Sequence, residues 1–262
     1  MAAAILMMNM HGAVMAADKD LTIFRYSDKV TFAIMVDPTS RFPWEDIIMR
    51  YQTEKSISSK RSFKLCAEDF ASYLTDVLNK DFFDLLNDEC EKKIICVGFE
   101  NNSMFPHFAT LTMDENNDCT GIRMSEEVNE INILHPVYHQ YLGNCANTRI
   151  LFGGMSDDIK EQLQQLCITE LGKLIGDDAV AELINNHYDH FSKELDSIQY
   201  DPEVTKAISD FTVKDMVAMA ENLIDTEGLR LSQAMKQAST REIAVITLAE
   251  GFKWIKHSLY GA

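Results

Sequence analysis

Histidines are the first chemistry this chain offers. His135 and His139 stand four positions apart, and His187, Asp189 and His190 crowd one short stretch. On a single helical face, histidines at i and i+4 can share a metal ion. Pro136 follows His135, however, and biases residue 135 away from the helical region. His187 and His190 lie on or beside an apolar stripe with Tyr188 and Phe191, so packed or solvated imidazoles are the plainer reading. No metal and no other cofactor is expected. The six cysteines, Cys66, Cys90, Cys96, Cys119, Cys145 and Cys167, are widely spaced with no C-x-x-C pair. That spacing speaks for neither zinc nor a compact disulfide scaffold, and reduced, structural cysteines are expected. The remaining candidate is the opening of the chain. An α-amine titrates near ~7.7 to 8.0 and can act as a base if its strand is held in place.

The elements needed to hold it are legible. Ala3-Ala4-Ile5-Leu6-Met7-Met8 is an apolar run that turns at Asn9-Met10-His11-Gly12 and returns as Ala13-Val14-Met15-Ala16-Ala17-Asp18. Two short strands about a glycine-containing turn read as a hairpin. Its methionines, Met7, Met8, Met10 and Met15, read as adaptable core and not as ligands. Val30 to Val36 is a further apolar run, stopped by Asp37-Pro38, and reads as a buried strand. Pro43 suits the first turn of a helix through Trp44 to Tyr51, and Phe70, Leu74, Val77 and Leu78 recur at helical spacing. Strands return at Lys93 to Phe99 and Phe108 to Met113, whereas Ile122 to Tyr141 has no clear period.

Beyond that stretch, Ser156 fits a helix cap before an apolar stripe from Ile159 to Leu174. A second stripe runs from Val180 to Phe191. Thr212-x-x-Asp215 has the form of a capping box before Met216, Ala220, Leu223 and Ile224. The closing segment, Ile243 to Ile255, is β again. The order β, α, β, α, β predicts helices on both faces of antiparallel sheets.

At Gly12 to Asp18, followed by Thr22 and Asp28-Lys29-Val30, the chain resembles the proteasome β-subunit family and the related bacterial ATP-dependent peptidase. Lys93 to Phe99 with Pro106-His107-Phe108 is similar to that family's central hairpin. Leu151 to Gly154 and the closing Ile243 to Ile255 extend the resemblance, the latter being similar to the closing hairpin of bacterial proteasome-like proteins. The resemblance implies an α+β fold, the four-layer αββα sandwich of N-terminal-nucleophile hydrolases. It also implies a threonine-type peptidase working in a self-assembled homo-oligomer on peptides or unfolded proteins, with an ATP-dependent unfoldase as partner.

In that family an N-terminal threonine attacks the peptide carbonyl while its own amine takes the proton. The resemblance puts that nucleophile at Ala2, the aspartate at Asp18, the lysine at Lys29 and a later serine at Ser239. Lys29 would lower the pKa of the amine. Where the family has a Gly-Ser-Gly turn, this chain departs from it with Gly153-Gly154-Met155-Ser156, in which only Ser156 is available and fits a helix cap equally well. The aspartate before the later serine and the glycines after it have no counterpart. A methyl group cannot attack a carbonyl. Two readings therefore stay open: a peptidase whose nucleophile position is filled by alanine, inactive as written, and a naturally non-catalytic structural or regulatory subunit. Without the resemblance, Asp18 could simply end a strand, and an Asp/Lys pair is often structural.

Composition agrees with a large packed fold. The chain has 262 residues, 46% of them hydrophobic, and no Pro/Gly/Ser-rich linker, so a single domain over residues 1–262 is expected, with a helical insertion around 120–205 used in assembly. The net charge of -17, from 41 acidic against 24 basic residues, argues against nucleic acid or anionic lipid as partner. The opening apolar run lacks the positive start of a secretory signal, and no stretch is long and apolar enough to span a bilayer. A cytoplasmic protein is expected.

Overall fold

The computed structural model describes residues 2–19, 22–26, 32–55, 62–82, 93–100, 103–115, 122–143, 145, 169, 202–229 and 241–257. The chain divides into two compact units, residues 1–145 with 208–262, and residues 146–207.

The first unit is built on two five-stranded antiparallel sheets. Strands β1 (Ala3–Asn9) and β2 (Gly12–Ala17) form the expected hairpin, with Asn9 opposite Gly12 and Ala4 opposite Ala17. Gly12 has φ +154°, and a Cβ there would stand 2.5 Å from the Ile246 carbonyl oxygen, so the turn has room only for glycine. On its other side β1 pairs with β8 (Val137–Gly143). The sheet is completed by β9 (Glu242–Thr247) against β2 and by β10 (Gly251–Lys256) at the edge. The first strand is therefore internal to a sheet, and every residue of it is buried.

The second sheet runs β3 (Ile23–Arg25), β4 (Phe32–Val36), β5 (Lys93–Phe99), β6 (Pro106–Glu115) and β7 (Ile122–Glu130). Period-2 alternation divides its side chains between two cores. Met35, Ile95 and Val97 meet Leu6, Met8, Met15 and Ile246 of the first sheet. Phe32, Ile34, Ile94 and Cys96 point the other way, against α1 (Trp44–Glu54) and α2 (Phe63–Asp81). Helix α1 begins after Pro43, and α2 after Ser62, whose hydroxyl oxygen accepts the Leu65 N–H at 3.2 Å. Helix α3 (Pro202–Ser209) leads to α4 (Val213–Leu229), which packs on β1, β2 and β9. Thr212 and Asp215 make the reciprocal cap read in the sequence, with Thr212 N–H to Asp215 Oδ2 at 3.0 Å and Asp215 N–H to Thr212 Oγ1 at 3.3 Å. Helix, sheet, sheet, helices: the α+β four-layer sandwich is present.

Residues 122–143 carry β7 and β8, which belong to the two sheets. The apolar stripes from Ile159 to Phe191 lie outside the described residues.

Candidate functional site

The candidate site is the start of β1, and three segments converge on it. Asp18, just past β2, closes the hairpin on both sides of one residue: its own N–H donates to the Ala3 carbonyl at 3.1 Å, and its Oδ1 accepts the Ala3 N–H at 2.7 Å. Burial raises the Asp18 carboxyl above its ordinary value, with the negative charge of Glu227 adding to the effect and the Ala3 hydrogen bond opposing it. Asp18 is thus committed to holding residue 3 in place. Ala2, half-buried, stands just ahead of it.

From β8 comes Gly143, opposite Ala3 in the register. Its φ is +71°, and a Cβ there would lie 2.3 Å from the Ala2 carbonyl oxygen and 3.0 Å from Cγ of Pro38. A side chain at 143 would displace the backbone of residue 2. The third segment is the turn after β4. Asp37 Oδ1 accepts the Thr39 N–H at 2.7 Å and its hydroxyl at 2.6 Å, and the Ser40 N–H returns to the Asp37 carbonyl at 3.1 Å. Lys19 Nζ donates to the Pro38 carbonyl at 2.7 Å and so ties this turn to the end of the hairpin.

Of the residues assigned by resemblance, Ala2 and Asp18 come together here, while Lys29 and Ser239 lie outside the described residues, as do Gly153 to Ser156. The glycine that the fold sets against residue 2 is Gly143, which the sequence reading passed over along with Lys19, Asp37 and Pro38. A lone glycine in an aperiodic stretch gives no signal until the β1/β8 register is known. Glu242 was also missed. Although 1% exposed, it accepts the Thr22 and Ile23 N–H groups at 3.1 and 3.0 Å and thereby fixes the chain after the hairpin.

The rival chemistries fare as follows. His139 lies on a strand and is buried, its imidazole pushed down to about 4 by loss of solvent, and His135 is exposed in the preceding turn. Among the described residues no group of three or more His, Cys, Asp or Glu is placed to hold a metal ion. His187, Asp189 and His190 lie outside those residues. Cys66, Cys96 and Cys145 are buried. No helix among the described residues is long and apolar enough to cross a membrane.

No protein-family model matches the chain, and no curated protein matches its sequence. Among solved structures it is similar to Anbu (ancestral beta-subunit) from Yersinia bercovieri at 11% identity, with 98% of this chain and 88% of that chain covered and a TM-score of 0.44.

Proposed function

We propose that this chain is a proteasome-like subunit that contributes its fold to an assembly and does not itself cleave peptides. Acyl transfer at a chain terminus needs a hydroxyl or thiol, an amine to take its proton, and N–H donors facing the oxyanion. One observation carries the reading. At the residue-2 site Ala2 supplies a methyl group, and Pro38, which reaches the site from the second sheet, has no N–H to give. The Pro38 carbonyl is taken by Lys19, and one Asp18 oxygen by the Ala3 amide.

The peptidase reading draws on a different observation, the internal position of β1 with Asp18 bonded at its start. On that reading the substrates are peptides or unfolded proteins, and an ATP-dependent unfoldase delivers them. The two separate in one experiment. Ala2→Thr, with Met1 removed, is assayed against a broad panel of peptide and amide substrates, with and without Lys29→Ala. The proposal expects no turnover. Hydrolysis that appears with threonine and disappears with Lys29→Ala would place the chain among the peptidases instead. Light scattering at micromolar concentration is expected to show a homo-oligomer, and a monomer would remove the assembly role.

A further inference from the structure

The turn that packs against Gly143, beside residue 2, carries features of a movable part. It is stiff within itself: the Asp37 side chain holds Thr39 through both N–H and hydroxyl, and Ser40 Oγ accepts the Phe42 N–H at 3.3 Å. Residues 37–40 would therefore move as one piece. Asp37 is 2% exposed, and its second carboxylate oxygen, Oδ2, has no partner among the described residues. The indole N–H of Trp44, where α1 begins, is likewise buried without one. A buried carboxylate oxygen denied a hydrogen bond destabilises the arrangement that buries it, and swinging into water relieves it. The closed position thus contains its own opening tendency. Against that tendency stands the bond from Lys19 to the Pro38 carbonyl. Lys19 is exposed, so the bond can be broken without disturbing the core.

We infer that the turn Asp37 to Ser40 is a strap over the residue-2 site, latched by Lys19, so that one surface ammonium sets access to the start of β1. The inference deepens the reading above, from which it takes residue 2 as the site, and it concerns access and not turnover. With the latch made, the Pro38 ring sits against Gly143, on which the Ala2 carbonyl also closes. With it broken, the strap lifts, Asp37 hydrates and the half-buried residue 2 gains exposure.

The test uses the full chain carrying Ala2→Cys, alkylated with iodoacetamide and followed peptide by peptide by mass spectrometry. Cys145, buried against the Ala4 and Leu142 carbonyls, serves as internal reference. Adding Lys19→Met is expected to speed alkylation at residue 2 about fivefold, the size of effect one such hydrogen bond commands, with Cys145 unchanged. Lys19→Arg, which keeps a cationic donor, is expected to stay near the parent rate. An unchanged rate at residue 2 in Lys19→Met overturns the inference. So does a rise shared equally by Cys145, since that reports general loosening. Alkylation reads residue 2 whether or not the chain assembles, so a monomer by light scattering would defeat the assembly reading alone.

Discussion

Asp18 is positioned by what it accepts and penalised by where it sits. Burial lifts its carboxyl above the ordinary 3.8, so the native state holds that proton more tightly than the unfolded chain does. Between 3.8 and the raised native value the folded protein binds more proton, and stability falls as pH rises through that window. The deficit persists at neutral pH. Asp18→Asn keeps an oxygen for the Ala3 N–H and removes the charge. Its melting temperature at pH 7 is expected to equal or exceed the parent's, whereas at pH 3 the advantage vanishes. Thermal melts at the two pH values check this, and a loss confined to pH 7 would mean that the charge itself stabilises. Asp18 was picked out by the resemblance, while the residue pattern by itself marked it only as the end of an apolar strand. Gly143 and Pro38 were picked out by neither, because their importance lies in a close approach between segments that only strand register reveals.

At the scale of elements, the opening hairpin is fixed to the helical layer by Asn9. This side chain is fully buried, donates to the carbonyls of Ile208 and Phe211 at 3.0 and 2.8 Å, and accepts the His11 N–H at 2.9 Å. It therefore ties the hairpin turn to the joint between α3 and α4. Asn9→Ala strands two carbonyls and one amide, and a loss of about 2 kcal/mol in urea unfolding is expected. A change within about 0.5 kcal/mol would show that the joint finds other partners. The sequence marked Asn9 only as a turn residue, since polarity in a strand end does not say what it reaches. Elements carried by an apolar run or by helical spacing were readable: β1, β2, β4, β5, β6, the closing β9 and β10, and α1, α2 and α4. Strands β7 and β8 were not, for physical reasons. Glu127, Asn129 and Glu130 put polar side chains on an exposed edge, and β8 buries His139 and Leu142 among half-buried neighbours, so neither strand alternates cleanly. With three residues, β3 is too short to show a period.

For the molecule as a whole, acid acts in two opposing directions. At neutral pH the charge of -17 repels itself, and acidification toward the isoelectric point of about 4.7 relieves that repulsion. His139 works against it. In the unfolded chain its imidazole takes a proton near 6.5, but in the fold, where β8 pairs it opposite Met7 and its ring meets Tyr141 at 5.3 Å, burial lowers that value to about 4. Between these values the unfolded chain binds more proton, so stability present above pH 6.5 is lost as pH falls toward 4. A shift of this size corresponds to roughly 3 kcal/mol at most. Because β8 brings Gly143 to residue 2, that loss would reach the candidate site as well. His139→Gln leaves a polar side chain of similar reach that cannot titrate, and its melting temperature is expected to fall less between pH 6.5 and 4 than the parent's. In 0.3 M salt the repulsion is screened at about 6 Å while the buried imidazole is not, so the difference between parent and variant should survive the salt. A variant that loses stability as steeply as the parent would locate the acid sensitivity elsewhere in the sandwich.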